Sequence, residues 1–269
     1  MDEKQLFESA AATHLWDSVL LTQVDLTFGQ ELSVYYRSAP WNRAATVLDA
    51  GCGNGCYVHR LRETFGRKQY TGVDSASHLI RLASERYAMP NLTFACEDLL
   101  TFQGQYDFVV ARAVLQYMKD LSAFLKAMHS LMSEDGVLLL IERADPVPYF
   151  FYPELPVVAA LLDSMQAEQS KHRIGTANLF GNLRDALAVS SSLIVAEEET
   201  ITVPSTVGGY KQLFKQLFKG LIEVAEATGF AETDFKAAAR EWDDWCTLSE
   251  SYADLRLHLV MLTKGHHVT

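Results

Sequence analysis

The sequence predicts an α/β protein: a seven-stranded, mostly parallel sheet with helices on both faces, preceded by helices and interrupted by a helical insertion. Three observations carry that expectation. Between residues 46 and 142 short apolar, β-forming runs alternate with stretches of helical periodicity, the pattern that builds a parallel sheet covered on both sides. The first run, Thr46-Val47-Leu48-Asp49-Ala50, passes directly into Gly51-Cys52-Gly53-Asn54-Gly55 and then into a helix, which is the geometry of a nucleotide pocket. Successive runs end in polar residues, and right-handed crossovers bring those ends to one sheet edge, where ligands bind in open α/β sheets.

Taken in order, residues 3–37 read as two helices, with Leu6, Ala10, Trp16 and Leu20 on one apolar face and Leu32, Val34, Tyr35 and Tyr36 in the second, stopped by Ser38-Ala39-Pro40. Strands follow at 46–50, 69–73, 92–96, 106–111 and 136–142, with helices at about 55–65, 76–88 and 119–132. Gly66, Pro90 and Gly136 punctuate the turns. After Asp145 comes an aromatic, proline-stiffened run, Pro146 to Pro153, then helical composition over 154–169 and 177–189 with a break at Lys171-His172-Arg173-Ile174-Gly175. By connectivity this insertion lies above the ligand edge and is expected to act as a lid. A sixth strand through 193–203, helices at about 209–228 and 232–246, and a last strand at 255–262 complete the chain. The expected organisation is an N-terminal helical lid over 1–44 and a catalytic domain over 45–269, with a helical cap at about 145–190.

Composition narrows the partners. The chain has 269 residues, 49% hydrophobic and 21% charged, with a formal net charge of −11. A core of that size suits one generous domain, and the negative charge, with no Lys/Arg stripe, gives no attraction to nucleic acid. No stretch reaches the roughly 20 apolar residues of a membrane helix, and Met1-Asp2-Glu3-Lys4 lacks a signal-peptide core. A cytoplasmic protein is expected, as monomer or homodimer, with Cys52, Cys56, Cys96 and Cys246 as free thiols and no metal site.

The glycine turn selects the ligand. A dinucleotide site spaces its glycines G-x-G-x-x-G to seat a pyrophosphate; here the spacing is G-x-G-x-G, with Asp49 just before it. An acidic strand end repels phosphate and suits a ligand carrying positive charge. Over Val47 to Gly55 the sequence resembles the class I S-adenosylmethionine-dependent methyltransferases. That resemblance implies a Rossmann-like sheet whose last strand inserts antiparallel beside the fifth, S-adenosyl-L-methionine as cofactor, and a small-molecule acceptor. It covers 45–142 and the two final strands. The rival readings are a nicotinamide dehydrogenase, disfavoured by the glycine spacing, and a methyltransferase-like partner subunit that binds cofactor without turnover.

On the resemblance, Asp49, Gly51, Cys52, Gly53 and Gly55 form the turn against the cofactor. Asp74, with Ser75 beside it, stands about 20 residues beyond, where a carboxylate can accept both ribose hydroxyls. The residue matching Asp98 accepts from the adenine amino group, and the backbone at Leu99 donates to the ring. A helix cap or solvated turn explains one such carboxylate; three in register with a glycine turn argue for a site. Arg112 holds the cofactor's carboxylate or lies on the surface. Members of the family often carry a His pair where this chain has Gln116 and Tyr117, so a common general base is missing.

Methyl transfer from a sulfonium is an in-line displacement with an excellent leaving group, so alignment supplies most of the catalysis and no nucleophilic side chain is needed. Where a base helps, His172 and Glu142 are the expected catalytic candidates. His14 and Asp145 are further candidates for that role. Tyr36, Gln116, Tyr117, Asp145 and Arg173 are expected in the acceptor pocket. His59, His78 and His129 are expected to be solvated, and His258 structural.

Overall fold

The computed structural model describes residues 10–144, 148–170, 178–190, 192–228 and 234–265. Helix α1 (Ala10–Arg37) is continuous, where two helices were expected. Nothing in its sequence breaks it, and Gly29, the weak point, is tolerated because it lets in the hydroxyl of Tyr210, which lies 3.0 Å from where a Cβ would stand. Ser38 then caps a short helix α2 (Ala39–Arg43), its Oγ accepting from Trp41 N at 3.1 Å, with Pro40 in the first turn.

The alternation follows: β1 (Thr46–Ala50), α3 (Cys56–Phe65), β2 (Gln69–Asp74), α4 (Ser77–Tyr87), β3 (Leu92–Cys96), β4 (Tyr106–Arg112), a 3₁₀ turn at Leu115–Tyr117, α5 (Leu121–Leu131) and β5 (Met132–Arg143). Strands β1 to β5 are parallel, in the order β3-β2-β1-β4-β5. Beyond them come β6 (Tyr149–Tyr152), α6 (Pro156–Ser170), α7 (Leu179–Ser190), β7 (Leu193–Pro204), α8 (Tyr210–Thr228), α9 (Phe235–Thr247) and β8 (Tyr252–Lys264). As the resemblance implied, β8 runs antiparallel beside β5, with Leu139 opposite Met261. Strand β7 covers the other edge of β8.

The sheet has eight strands, one more than expected. The extra strand, β6, is the aromatic run Tyr149–Tyr152, and it continues β5 along the same edge of β8, with Tyr149 opposite Leu255 just past Arg143 opposite Leu257. Period-2 alternation buries Phe151 and leaves Phe150 and Tyr152 exposed. The run therefore does not form an apolar lid wall.

The expected single cap over 145–190 also divides. Helix α7 packs on α5 and β7, and its Leu179, Phe180, Leu183 and Leu187 join Phe124 and Met128 in the core of one sheet face. Helix α6 packs on α9 beside the other face, where Trp242 and Trp245 stack at 4.8 Å and Phe151 sits edge-on to Phe218 at 5.0 Å. Such pairs add about 0.5–1.5 kcal/mol each beyond their buried area.

Helix α1 is bolted down at both ends of its buried stripe. Asp17 Oδ1 accepts from Asn54 Nδ2 of the glycine turn at 2.8 Å and from Arg86 of α4 at 2.7 Å. Nearer its C-terminus Glu31, 0% exposed, accepts from Arg112 Nε of β4 at 3.1 Å and from Thr27 Oγ1 at 2.6 Å. Breaking either buried pair strands a charge.

Candidate cofactor and acceptor site

A cavity of about 640 Å³ opens at the C-terminal ends of β1, β2, β4 and β5, beneath α1 and α6. Its floor is the glycine turn. Gly51, Gly53 and Gly55 all have positive φ, at 82°, 54° and 75°, a region L side chains avoid. They serve different ends. A Cβ on Gly51 would fall 2.5 Å from Val114, and one on Gly55 2.6 Å from Phe94 and 2.8 Å from Ala83, so Gly55 lets α3 pack on α4 and β3. Gly51 and Gly53 line the cavity; Gly55 and Cys52 do not.

Asp49 lies beneath the turn, 1% exposed and off the cavity lining. Its Oδ2 is buried without a hydrogen-bond partner, and burial lifts its pKa to about 7, against the pull of Arg112. Expected to stand against the cofactor, it lies beneath the turn and off the lining. Asp74, at the end of β2, accepts from Gly53 N through Oδ2 at 2.9 Å and from Ala76 N through Oδ1 at 2.8 Å. It thus ties the glycine turn to the next strand and lines the cavity with its remaining lone pairs. Ser75 lies beside it. Asp98 stands at the mouth, exposed, its Oδ1 accepting from Leu100 N at 2.9 Å, with Leu99 buried beside it. The capping geometry considered for such a carboxylate is therefore present here, and the side chain still faces the cavity.

Beyond β4 the chain turns sharply. Ala113 has φ 56°, an uncommon left-handed conformation for a residue with a Cβ. The turn is held by Glu142, whose Oε1 accepts from Val114 N and Leu115 N, both at 2.8 Å. Glu142 is 2% exposed, and burial raises its pKa to about 7 despite those bonds. Its hydrogen bonds hold the Val114 turn over Gly51, and the residue, expected as a candidate base, also lines the cavity. A carboxyl raised in the folded state stabilises fully below the unfolded carboxylate range and loses that contribution as pH climbs to about 7. Glu142→Gln should therefore gain on wild type by roughly 1–3 kcal/mol between pH 5 and pH 8. Denaturant unfolding across that range checks it; a constant difference would mean the carboxyl titrates normally.

Two guanidiniums stand on adjacent strand ends. Alternation places Phe108, Val110 and Arg112 of β4, and Val137, Leu139, Ile141 and Arg143 of β5, on one face. Arg112 is neutralised by Glu31, also bonds Thr27 Oγ1 at 2.7 Å, and lies over the Tyr57 ring at 5.1 Å. Its first structural task is to anchor α1. Arg143 donates to Gln116 Oε1 at 2.6 Å and lies over the Tyr149 ring at 5.9 Å. Sequence reasoning missed Arg143, although the i, i+2 alternation through Val137, Leu139 and Ile141 points it inward.

Gln116 and Tyr117 line the cavity as expected. Tyr36 does not: it is 62% exposed and packs on Phe65 at 5.3 Å. His172, Arg173 and Asp145 lie outside the described residues. His14 is exposed, His59 stacks on Tyr87 at 4.3 Å where solvation was expected, and His258 bridges Glu198 and Thr200 in a structural role. Trp16, Leu20, Gln23 and Thr27 of α1 also line the cavity, so the N-terminal helix forms one wall. Among the described residues no His/Cys/Asp/Glu group could hold a metal ion.

Residues 48–138 match the family model described as a methyltransferase domain. Over that span the chain is similar to methyltransferase domains. Similar proteins include a malonyl-[acyl-carrier protein] O-methyltransferase of Bacillus cereus, 34% identical over 95 residues, covering 35% of each chain. A trans-aconitate 2-methyltransferase of Azoarcus sp. is 32% identical over 103 residues, 38% of this chain and 40% of that protein. The chain thus spans about a third to a half of the length of the relatives it matches. In structure, the chain resembles phosphoethanolamine N-methyltransferase 2 of Haemonchus contortus at a TM-score of 0.59 and 14% identity, covering 99% of this chain and 60% of that one. That likeness is one of fold.

The cavity fits the family's cofactor. A bare, left-handed glycine turn, a carboxylate at the β2 end and an unanswered buried Asp49 oxygen suit a nucleoside carrying positive charge. A pyrophosphate would find no such welcome.

Proposed function

We propose that the protein transfers a methyl group from S-adenosyl-L-methionine to a small-molecule acceptor in this cavity. The observation that carries the reading is the convergence of Gly51, Gly53, Asp74 and Asp98 on one lining at successive strand ends. When bound, the cofactor supplies an electrophilic methyl on a good leaving group. Asp74 accepts from the ribose hydroxyls, Asp98 and the Leu99 backbone meet the adenine, and Asp49 favours positive charge from beneath the turn. The Glu142-held turn shapes the floor. Leu162 and Met165 of α6, with Leu217 and Leu221 of α8, close an apolar far end that excludes water from the acceptor. Two relatives' names give a malonyl group carried on an acyl carrier protein and trans-aconitate as their acceptors, which supports a small acceptor group here.

Among the described residues no helix is long and apolar enough to cross a membrane, and the four cysteines are free. A cytoplasmic setting accords with both, and the lining residues of α1 support a lid role for the N-terminal region. Calorimetry tests the cofactor. S-adenosyl-L-methionine and S-adenosylhomocysteine should bind at one site per chain and NAD should give no heat. Saturable NAD binding with no response to the other two would refute the reading.

A further inference from the structure

Among the described residues, Arg143 is an arginine on the cavity lining that has no ion-pair partner. Its strand face is otherwise apolar, with Ile141 two residues before it and Leu257 directly opposite on β8. A guanidinium held there must be answered by negative charge or hydrogen bonds. Arg112, one strand away on the same face, has its answer in Glu31. Arg143 forms no ion pair with any carboxylate among the described residues: the adjacent Glu142 acts on it through space and spends its own hydrogen bonds on Val114 N and Leu115 N, while Arg143 bonds neutral partners, Gln116 Oε1 at 2.6 Å and the Tyr149 hydroxyl at 3.5 Å. Gln116 is itself 5% exposed and donates to Ala113 O at 3.3 Å, so the clamp is built into the strained turn after β4. The group it orients faces the cavity, beside Leu255 and Leu257 and near the Leu162 wall of α6.

Resting on the methyltransferase reading above, we propose that Arg143 is the anchor for a carboxylate on the acceptor, and that the acceptor carries it on an apolar body. Gln116 and Tyr149 hold the planar fork in place, and a carboxylate takes its two donors side by side. One guanidinium neutralises one such charge. A phosphate brings about −1.5 to −2 and would need a second cation, but Arg112 is committed to Glu31 and Lys119, the lysine on the lining, is exposed. The leucines around the fork favour an aliphatic body over a polar one. Gln116, at the place where related enzymes carry a histidine, then serves acceptor recognition.

The test uses the full chain saturated with S-adenosylhomocysteine, with octanoate, methyl octanoate and octyl phosphate as probes in calorimetry. Octanoate should bind at least tenfold more tightly than its methyl ester, and more tightly than octyl phosphate. Arg143→Met should weaken octanoate roughly 10–100-fold, the worth of a hydrogen bond to a charged group, while leaving the ester unchanged. Arg143→Lys should fall between. Equal binding of acid and ester by wild type, preference for the phosphate, or an Arg143→Met protein that keeps its octanoate affinity would each overturn the proposal. So would failure of octanoate to bind a chain that binds S-adenosylhomocysteine normally. A chain that does not bind S-adenosylhomocysteine fails earlier, at the methyltransferase reading itself. Because the acid-against-ester comparison needs only wild-type protein, a variant that misfolds does not rescue the idea.

Discussion

Gly53→Val is expected to abolish S-adenosyl-L-methionine binding, with a loss of more than about 100-fold in affinity. Gly53 sits at φ 54° on the cavity floor, where the left-handed backbone alone costs an L residue roughly 1–2 kcal/mol, and a β-branched one more. A Cβ there would stand 3.2 Å from Leu20 of α1, so the valine methyls must enter the space between turn and helix wall. Strain and occlusion can be separated with Gly66→Val. Gly66 also has positive φ, at 65°, but a Cβ added there meets nothing within 4 Å and the residue is far from the lining. Both variants should lose stability in thermal unfolding. Only Gly53→Val should lose the upward shift that cofactor confers on wild type. If both kept that shift, the glycine turn would not be the cofactor site.

Asp74→Ala should damage the fold and the site together. Removing the carboxylate frees Gly53 N and Ala76 N, and each amide left unpaired in a buried place costs roughly 1–3 kcal/mol. The same change removes the acceptor for the ribose. We expect a lower melting temperature without ligand and a cofactor affinity down by at least about 10-fold. Asp74→Asn keeps one acceptor oxygen and should retain at most one of the two amide bonds, falling between the two in both measurements. A variant with wild-type cofactor affinity and reduced stability would leave Asp74 as a turn clamp only.

Much of the cofactor half was legible because it is local. The Val47–Gly55 run needs its glycines for the φ values seen, and the helix after it, Cys56–Phe65, came within one residue of its expected ends. Asp74 and Asp98 were found by their position after apolar runs, which in a parallel sheet means one common edge. The acceptor half was not legible in this way. Glu142 and Arg143 are neighbours in sequence and both line the cavity, yet Glu142 holds the Val114 turn while Arg143 bonds Gln116. Tyr36 read as a pocket aromatic from its helix, but the packing of α1 turned it to solvent.

The insertion shows the same division. Its composition announced an aromatic run and two helices; pairing along β8 made the run a strand, and apolar surface on opposite faces drew α6 and α7 apart. The sequence by itself determined the alternating sheet and the glycine turn, since each follows from residue chemistry over spans of a few to about 20 residues, and the class of cofactor came with the resemblance that those residues carry. Only the tertiary structure decided which arginine is neutralised. That depends on Glu31, 81 residues before Arg112 and on another element, reaching one strand end and not its neighbour, and no local spacing encodes such a contact.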